Sequence, residues 1–87
     1  MQFKQDGNTF IISIEQDESI METLTQFCKS QDIVNAQISG IGAIKEIDLG
    51  AYDLKNKEYV RQFFNNLWEL TSFQGNVILK DNEPFIH

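Results

Sequence analysis

Residues Asp17–Asp32 read DESIMETLTQFCKSQD, and this stretch decides the fold. Ile20, Leu24, Phe27 and Cys28 fall at i, i+4, i+7 and i+8, which is one face of an α-helix. Ser19 and Glu22 have the S-x-x-E spacing of a capping box, which satisfies amides left open at a helix start. Asp17 and Glu18 place negative charge near the positive end of the helix dipole, and Lys29 places positive charge near the other end. The spacing predicts one helix over about residues 19–31. No other segment has this period, so the chain on either side reads as strand and turn.

Upstream, NTFIISIE (8–15) alternates Phe10, Ile12 and Ile14 with Ile11, Ser13 and Glu15. Period two with β-branched residues indicates a strand. Gly7-Asn8 is turn chemistry that closes a hairpin with residues 1–5. Downstream, Val34, Ala36 and Ile38 share one parity, whereas Ile41, Ala43, Ile47, Leu49 and Ala51 share the other. Gly40 and Gly42 straddle that change, so the reading places a structural bend there that returns the apolar side chains to the core. DLKNKE is a hairpin turn and YVRQFF the returning strand. Asn65-Asn66 and Gln74-Gly75-Asn76 read as further turns, and Asp81-Asn82 as a tight one before PFIH. The expectation is about seven strands and one helix in one domain over residues 1–87. A helix followed by successive hairpins indicates an α+β fold with a mostly antiparallel sheet.

The chain has 87 residues, 41% of them hydrophobic, with seven phenylalanines. A domain of this size buries only about 60% of its unfolded surface, so its core is marginal and a partner subunit would strengthen it. The formal net charge is −6, with 13 acids against 7 bases. Nucleic-acid binding draws on clustered Lys and Arg that displace counterions. Here there is one Arg, Arg61, and the closest basic pair is Lys55 and Lys57 in a turn. One cysteine makes no internal disulfide, and Cys28 falls on the apolar helix face as a buried free thiol. It is compatible with a reducing cytoplasm, and the N-terminus has no signal-peptide pattern. No apolar run is long enough to span a membrane. The expected location is cytoplasmic.

Three groups of residues invite a functional reading. SGIGAIK (39–45) begins like a dinucleotide fingerprint, but the third glycine and the following helix are absent. Glu46, Asp48 and Asp53 suggest an acid/base pair, yet Glu46 and Asp48 on one strand face fit a solvated surface better. Tyr52, Tyr59, Phe63, Phe64 and Trp68 could stack on bases. Without interleaved cations, core or interface packing suits them better. No catalytic residues are assigned.

The stretches ISGIGAIKEIDLGAYDLKNKEYV (38–60) and WELTSFQGNVILKDNEPFIH (68–87) closely resemble the plant and prokaryote conserved (PPC) domain family. The opening strand, the helix, the SGIGA bend, the L-x-G-N step and the D-x-x-P-x-x-H end all fall in register. The resemblance implies an α+β fold and a tendency to form homotrimers. In plant members AT-hooks bind the DNA and this domain mediates association. The stand-alone prokaryotic members are linked to DNA by that analogy. On those grounds the expected function is non-enzymatic self-association, with weak DNA binding at most. The alternative is zinc binding: the family carries H-x-H and a later G-G-H, and His87 matches the first of these ligands. The resemblance implies that the other ligands and the last strands lie beyond His87, so zinc is expected in the full-length domain and no cofactor in this chain. The residues point the same way. A strand begun at Pro84 is very short and leaves Val77–Leu79 with an exposed apolar edge.

Overall fold

The computed structural model describes all residues, Met1–His87. Five strands and one helix follow in the order β1 (Gln2–Asp6), β2 (Thr9–Ser13), α1 (Ile20–Ser30), β3 (Ala36–Asp53), β4 (Glu58–Lys80) and β5 (Glu83–Ile86). β1 and β2 form a two-stranded sheet, and the other three strands form a sheet in the order β3-β4-β5. The fold is α+β, mostly antiparallel, with a single helix. By contact the chain divides into a helical unit, Met1–Ile38 with Gly75–His87, and a ribbon unit, Ser39–Gln74.

In the helical unit, β1 and β2 pair antiparallel with Asp6 opposite Thr9. Gly7 supplies the positive φ of +58° that a two-residue loop needs at its first position. The helix starts where expected. Ser19 is its N-cap and accepts from the Glu22 amide at 3.4 Å. The helix closes on Gln31, whose N–H donates to the Phe27 carbonyl, and the Ile33 N–H donates to the Cys28 carbonyl. Such bonds satisfy carbonyls left open at a helix end. Leu24, Phe27 and Cys28 are buried, and Val77 completes the set of buried hydrophobic residues. Phe27 meets the rings of Phe3 and Phe10 edge-on, at 4.9 and 5.1 Å between centroids. Asp81 and Asn82 both have positive φ and turn β4 into β5. Asn and Asp tolerate that region better than most residues.

Two sequence expectations are corrected. Asn65-Asn66 and Gln74-Gly75-Asn76 do not turn the chain, because β4 runs unbroken from Glu58 to Lys80. Cross-strand pairing outweighs the local turn preference of these residues. The exchange of faces expected at Gly40 and Gly42 lies elsewhere. Half-buried positions continue through Ala36, Ile38, both glycines and Ile44, and then resume at Ile47. The slip sits at Glu46, whose φ of +56° marks an extra residue in the strand. Ile41, expected on the core side, is 83% exposed.

The edge at Val77–Leu79 is also paired. Val77 lies opposite Ile86, Ile78 opposite Phe85, and Leu79 opposite Pro84. Beyond these, Asn76 and His87 exchange backbone bonds of 2.7 and 2.9 Å.

The Met1 α-ammonium pairs with Glu18 Oε1 at 2.8 Å, and the same carboxylate accepts from the Glu15 amide. The bond from the N-terminus, then that from Glu15, holds the Glu18 carboxyl below its ordinary value. A depressed carboxyl pKa contributes stability above its unfolded value, and that stability is lost as pH falls through the folded value. Glu18→Gln should therefore melt lower than wild type at pH 7, and the two should converge on acidification. A gap that persists below pH 3 would contradict this.

Candidate functional site

The ribbon unit is built from the long arms of β3 and β4. Asp53 shapes its closing turn: its carboxylate accepts from the amides of Lys55 and Asn56 and from the Asn56 side chain, at 2.9, 3.2 and 2.9 Å. These bonds, the Asn56 amide first, hold the Asp53 carboxyl below its usual range. Asp53 is thus a turn former, not half of an acid/base pair. Asp48 is likewise occupied. Arg61 grips it with a fork, Nη2 to Oδ2 at 2.9 Å and Nε to Oδ2 at 3.2 Å. Glu46 is the bulge residue and is exposed. The three carboxylates are separated by role, and the structure gives them no shared proton.

No residue between Ser39 and Gln74 is buried. The aromatics expected in a core or an interface do not form a core: in the single chain they are largely exposed. Tyr59 and Phe63 are each 60% exposed, Leu67 is 80% exposed, and Tyr52 and Trp68 also lie open. Trp68 is held edge-on by Phe64 at 5.8 Å. Tyr59 lies over Gly50, where an added Cβ would strike its ring, and the Arg61 guanidinium sits 5.8 Å from the centre of that ring. An aromatic ring covering a strand glycine is a recurrent cross-strand device. Two-residue alternation and these contacts put Asp48, Gly50, Tyr52, Tyr59, Arg61 and Phe63 on one face. Sequence reasoning named most of the aromatics, placed Ile41 on the core side, and missed Leu67 and the Asp48–Arg61 pair. The Lys45-Glu46 doublet, which breaks the polar alternation, was the signal for the true face change.

His87 lies at the other end of the chain, in the helical unit, with an exposed side chain. Its backbone is engaged by Asn76, and the structure holds no group of three or more His, Cys, Asp or Glu able to bind a metal. Cys28 is buried in α1, and burial raises its pKa, which favours the protonated thiol over the thiolate a metal needs. A zinc site takes at least three protein ligands. The residues of one copy do not fit one. No helix is long and apolar enough to cross a membrane.

The sequence matches the Plants and Prokaryotes Conserved (PCC) domain over residues 1–87. Among solved structures, it is similar to a candidate DNA-binding protein from Bacteroides thetaiotaomicron, at 32% identity and a TM-score of 0.94, over 99% of this chain and 60% of that one. It is similar to a plant- and prokaryote-conserved protein from Pyrococcus horikoshii, at 38% identity and a TM-score of 0.81, over 85% of this chain and 52% of that one. A metal-containing protein from Archaeoglobus fulgidus matches at 34% identity and a TM-score of 0.81, over 85% of this chain and 53% of that one. This chain therefore spans between half and three-fifths of the length of these relatives. No curated protein matches.

Proposed function

Because the chain belongs to the Plants and Prokaryotes Conserved domain family, we propose that it is a non-enzymatic self-associating domain of a cytoplasmic, DNA-linked protein, assembling as a homotrimer. One observation carries this reading: the ribbon unit has no buried residue, yet it displays Ile41, Tyr52, Tyr59, Phe63, Leu67 and Trp68. An isolated two-stranded hairpin is marginal in water, and large apolar side chains held in solvent in this number favour an interaction surface. The link to DNA rests on the Bacteroides relative. The net charge of −6 disfavours direct contact with nucleic acid.

The test is light scattering at tens of micromolar, with a mobility-shift titration alongside. A discrete oligomer and no shift at physiological salt are expected. A clean monomer overturns the association, and submicromolar DNA affinity with a steep salt slope overturns its indirect link to DNA.

A second reading is favoured by the metal-containing Archaeoglobus relative. On that reading His87 is one ligand of a zinc site completed by residues outside this chain. One exposed imidazole supplies a single bond and no preorganisation. Calorimetry should then show only weak zinc binding to these 87 residues, unchanged in His87→Ala within error. Tight binding of one equivalent, lost in His87→Ala, would instead show a site shared between copies.

A further inference from the structure

Resting on the self-association reading above, we infer that the Asp48–Arg61 pair is the polar element that sets how a second copy of this chain docks on the ribbon. The pair stands among Tyr52, Tyr59 and Phe63 on one exposed face. Along β4, Arg61 alternates with Tyr59 and Phe63 on one face, and its guanidinium lies 5.8 Å from the centre of the Tyr59 ring. Arg61 Nη2 donates to Asp48 Oδ2 at 2.9 Å and Nε to Oδ1 at 3.3 Å, a bidentate geometry that adds direction as well as attraction. Both side chains remain roughly half exposed. In that state an ion pair contributes little. A covering partner changes its weight. Desolvated, the pair tolerates no loss of one member, and a polar element within an apolar interface is a known means of fixing register.

Charge identifies the occupant. Residues 1–38 and 75–87 hold three lysines against eight acids, whereas residues 39–74 hold four bases against five acids. Two copies therefore repel mainly through their helical units. On the ribbon face the pair neutralises itself, so an apolar, charge-balanced surface meets its own like without penalty. A nucleic acid needs uncommitted cations, and the one arginine of the chain is already held by Asp48.

The experiment compares wild type with Arg61→Gln, Asp48→Asn and the double variant, by sedimentation equilibrium from 1 to 100 micromolar. Each single variant buries an uncompensated charge on association, so its dissociation constant should rise by about 100-fold or more. The double variant removes both charges and should return to within about tenfold of wild type. It should also populate mixed stoichiometries, because the direction supplied by the fork is gone. Melting curves recorded at dilutions where all proteins are monomeric should coincide, as an exposed pair adds little to the fold. Arg61→Lys, which keeps the charge and loses the fork, replaces Arg61→Gln if the latter does not melt cooperatively, and should associate in mixed stoichiometry.

Single variants that assemble as tightly as wild type place the pair outside the interface and overturn the inference alone. A double variant no better than the singles overturns it too. Quenching of tyrosine fluorescence by a single-stranded oligonucleotide at physiological salt, absent in Tyr59→Ala, assigns the face to nucleic acid and overturns it. A monomeric wild type removes the self-association reading itself.

Discussion

Phe27→Ala should abolish cooperative folding or lower the melting temperature by more than about 12 °C. Phe27 is 3% exposed and is one of four buried hydrophobic residues. Truncating a buried Phe costs about 3–5 kcal/mol, and edge-to-face ring pairs add about 0.5–1.5 kcal/mol beyond area burial. Phe27 makes two such contacts, with Phe3 and Phe10. It therefore joins the first hairpin to the helix in one aromatic cluster. A small domain has about 5–15 kcal/mol of stability in all, and each kcal/mol moves the melting temperature by about 4–8 °C at this size. Phe27→Leu keeps an apolar filling and should lose much less. Circular dichroism melts decide the matter, and a shift under 5 °C for Phe27→Ala would show that the cluster is not the centre of the core.

Gly75→Ala should release the end of β5. A Cβ at position 75 would stand 2.8 Å from the His87 carbonyl oxygen and 3.6 Å from its carbon. Both are backbone atoms, already fixed by the reciprocal bonds between Asn76 and His87. They cannot swing aside as a side chain would, so the strand pair must open. Overpacking of this kind costs about 1–3 kcal/mol. Hydrogen exchange should show the Asn76 and His87 amides losing protection first. Gly40→Ala is the matched control, because its Cβ would meet only the Phe73 Cβ at 3.9 Å, an ordinary contact. Equal protection in both variants would contradict the close approach at Gly75.

These two effects separate what the sequence shows from what it hides. The helix was legible because its period, cap and charges agree from Ser19 to Lys29, and its buried residues are those the period selects apart from the half-buried Ile20. The Gly7 and Asp81-Asn82 turns were legible because residues tolerant of positive φ stand where the chain reverses. Asn65-Asn66 carries a similar composition but no reversal, since pairing along β4 decides there. The slip at Glu46 was harder to read, because the position holds no glycine and only the Lys45-Glu46 doublet marks it. Of the candidate site, the aromatics could be named but not their exposure, since periodicity cannot tell a face that meets the core from one that meets solvent.

The positive φ at Glu46 has a consequence for how this chain can change length. A bulge acts on strand faces as a single-base insertion acts on a reading frame. Upstream of it, even-numbered residues of β3 are half-buried, and downstream the parity is reversed. Deleting one residue near position 46 would restore the upstream phase. It would then turn Asp48 and Tyr52 to the opposite face and put Leu49 and Ala51 in their place. A paired deletion would leave the phase intact. Length variation in β3 should therefore occur in steps of two, except where a second odd change nearby restores the frame.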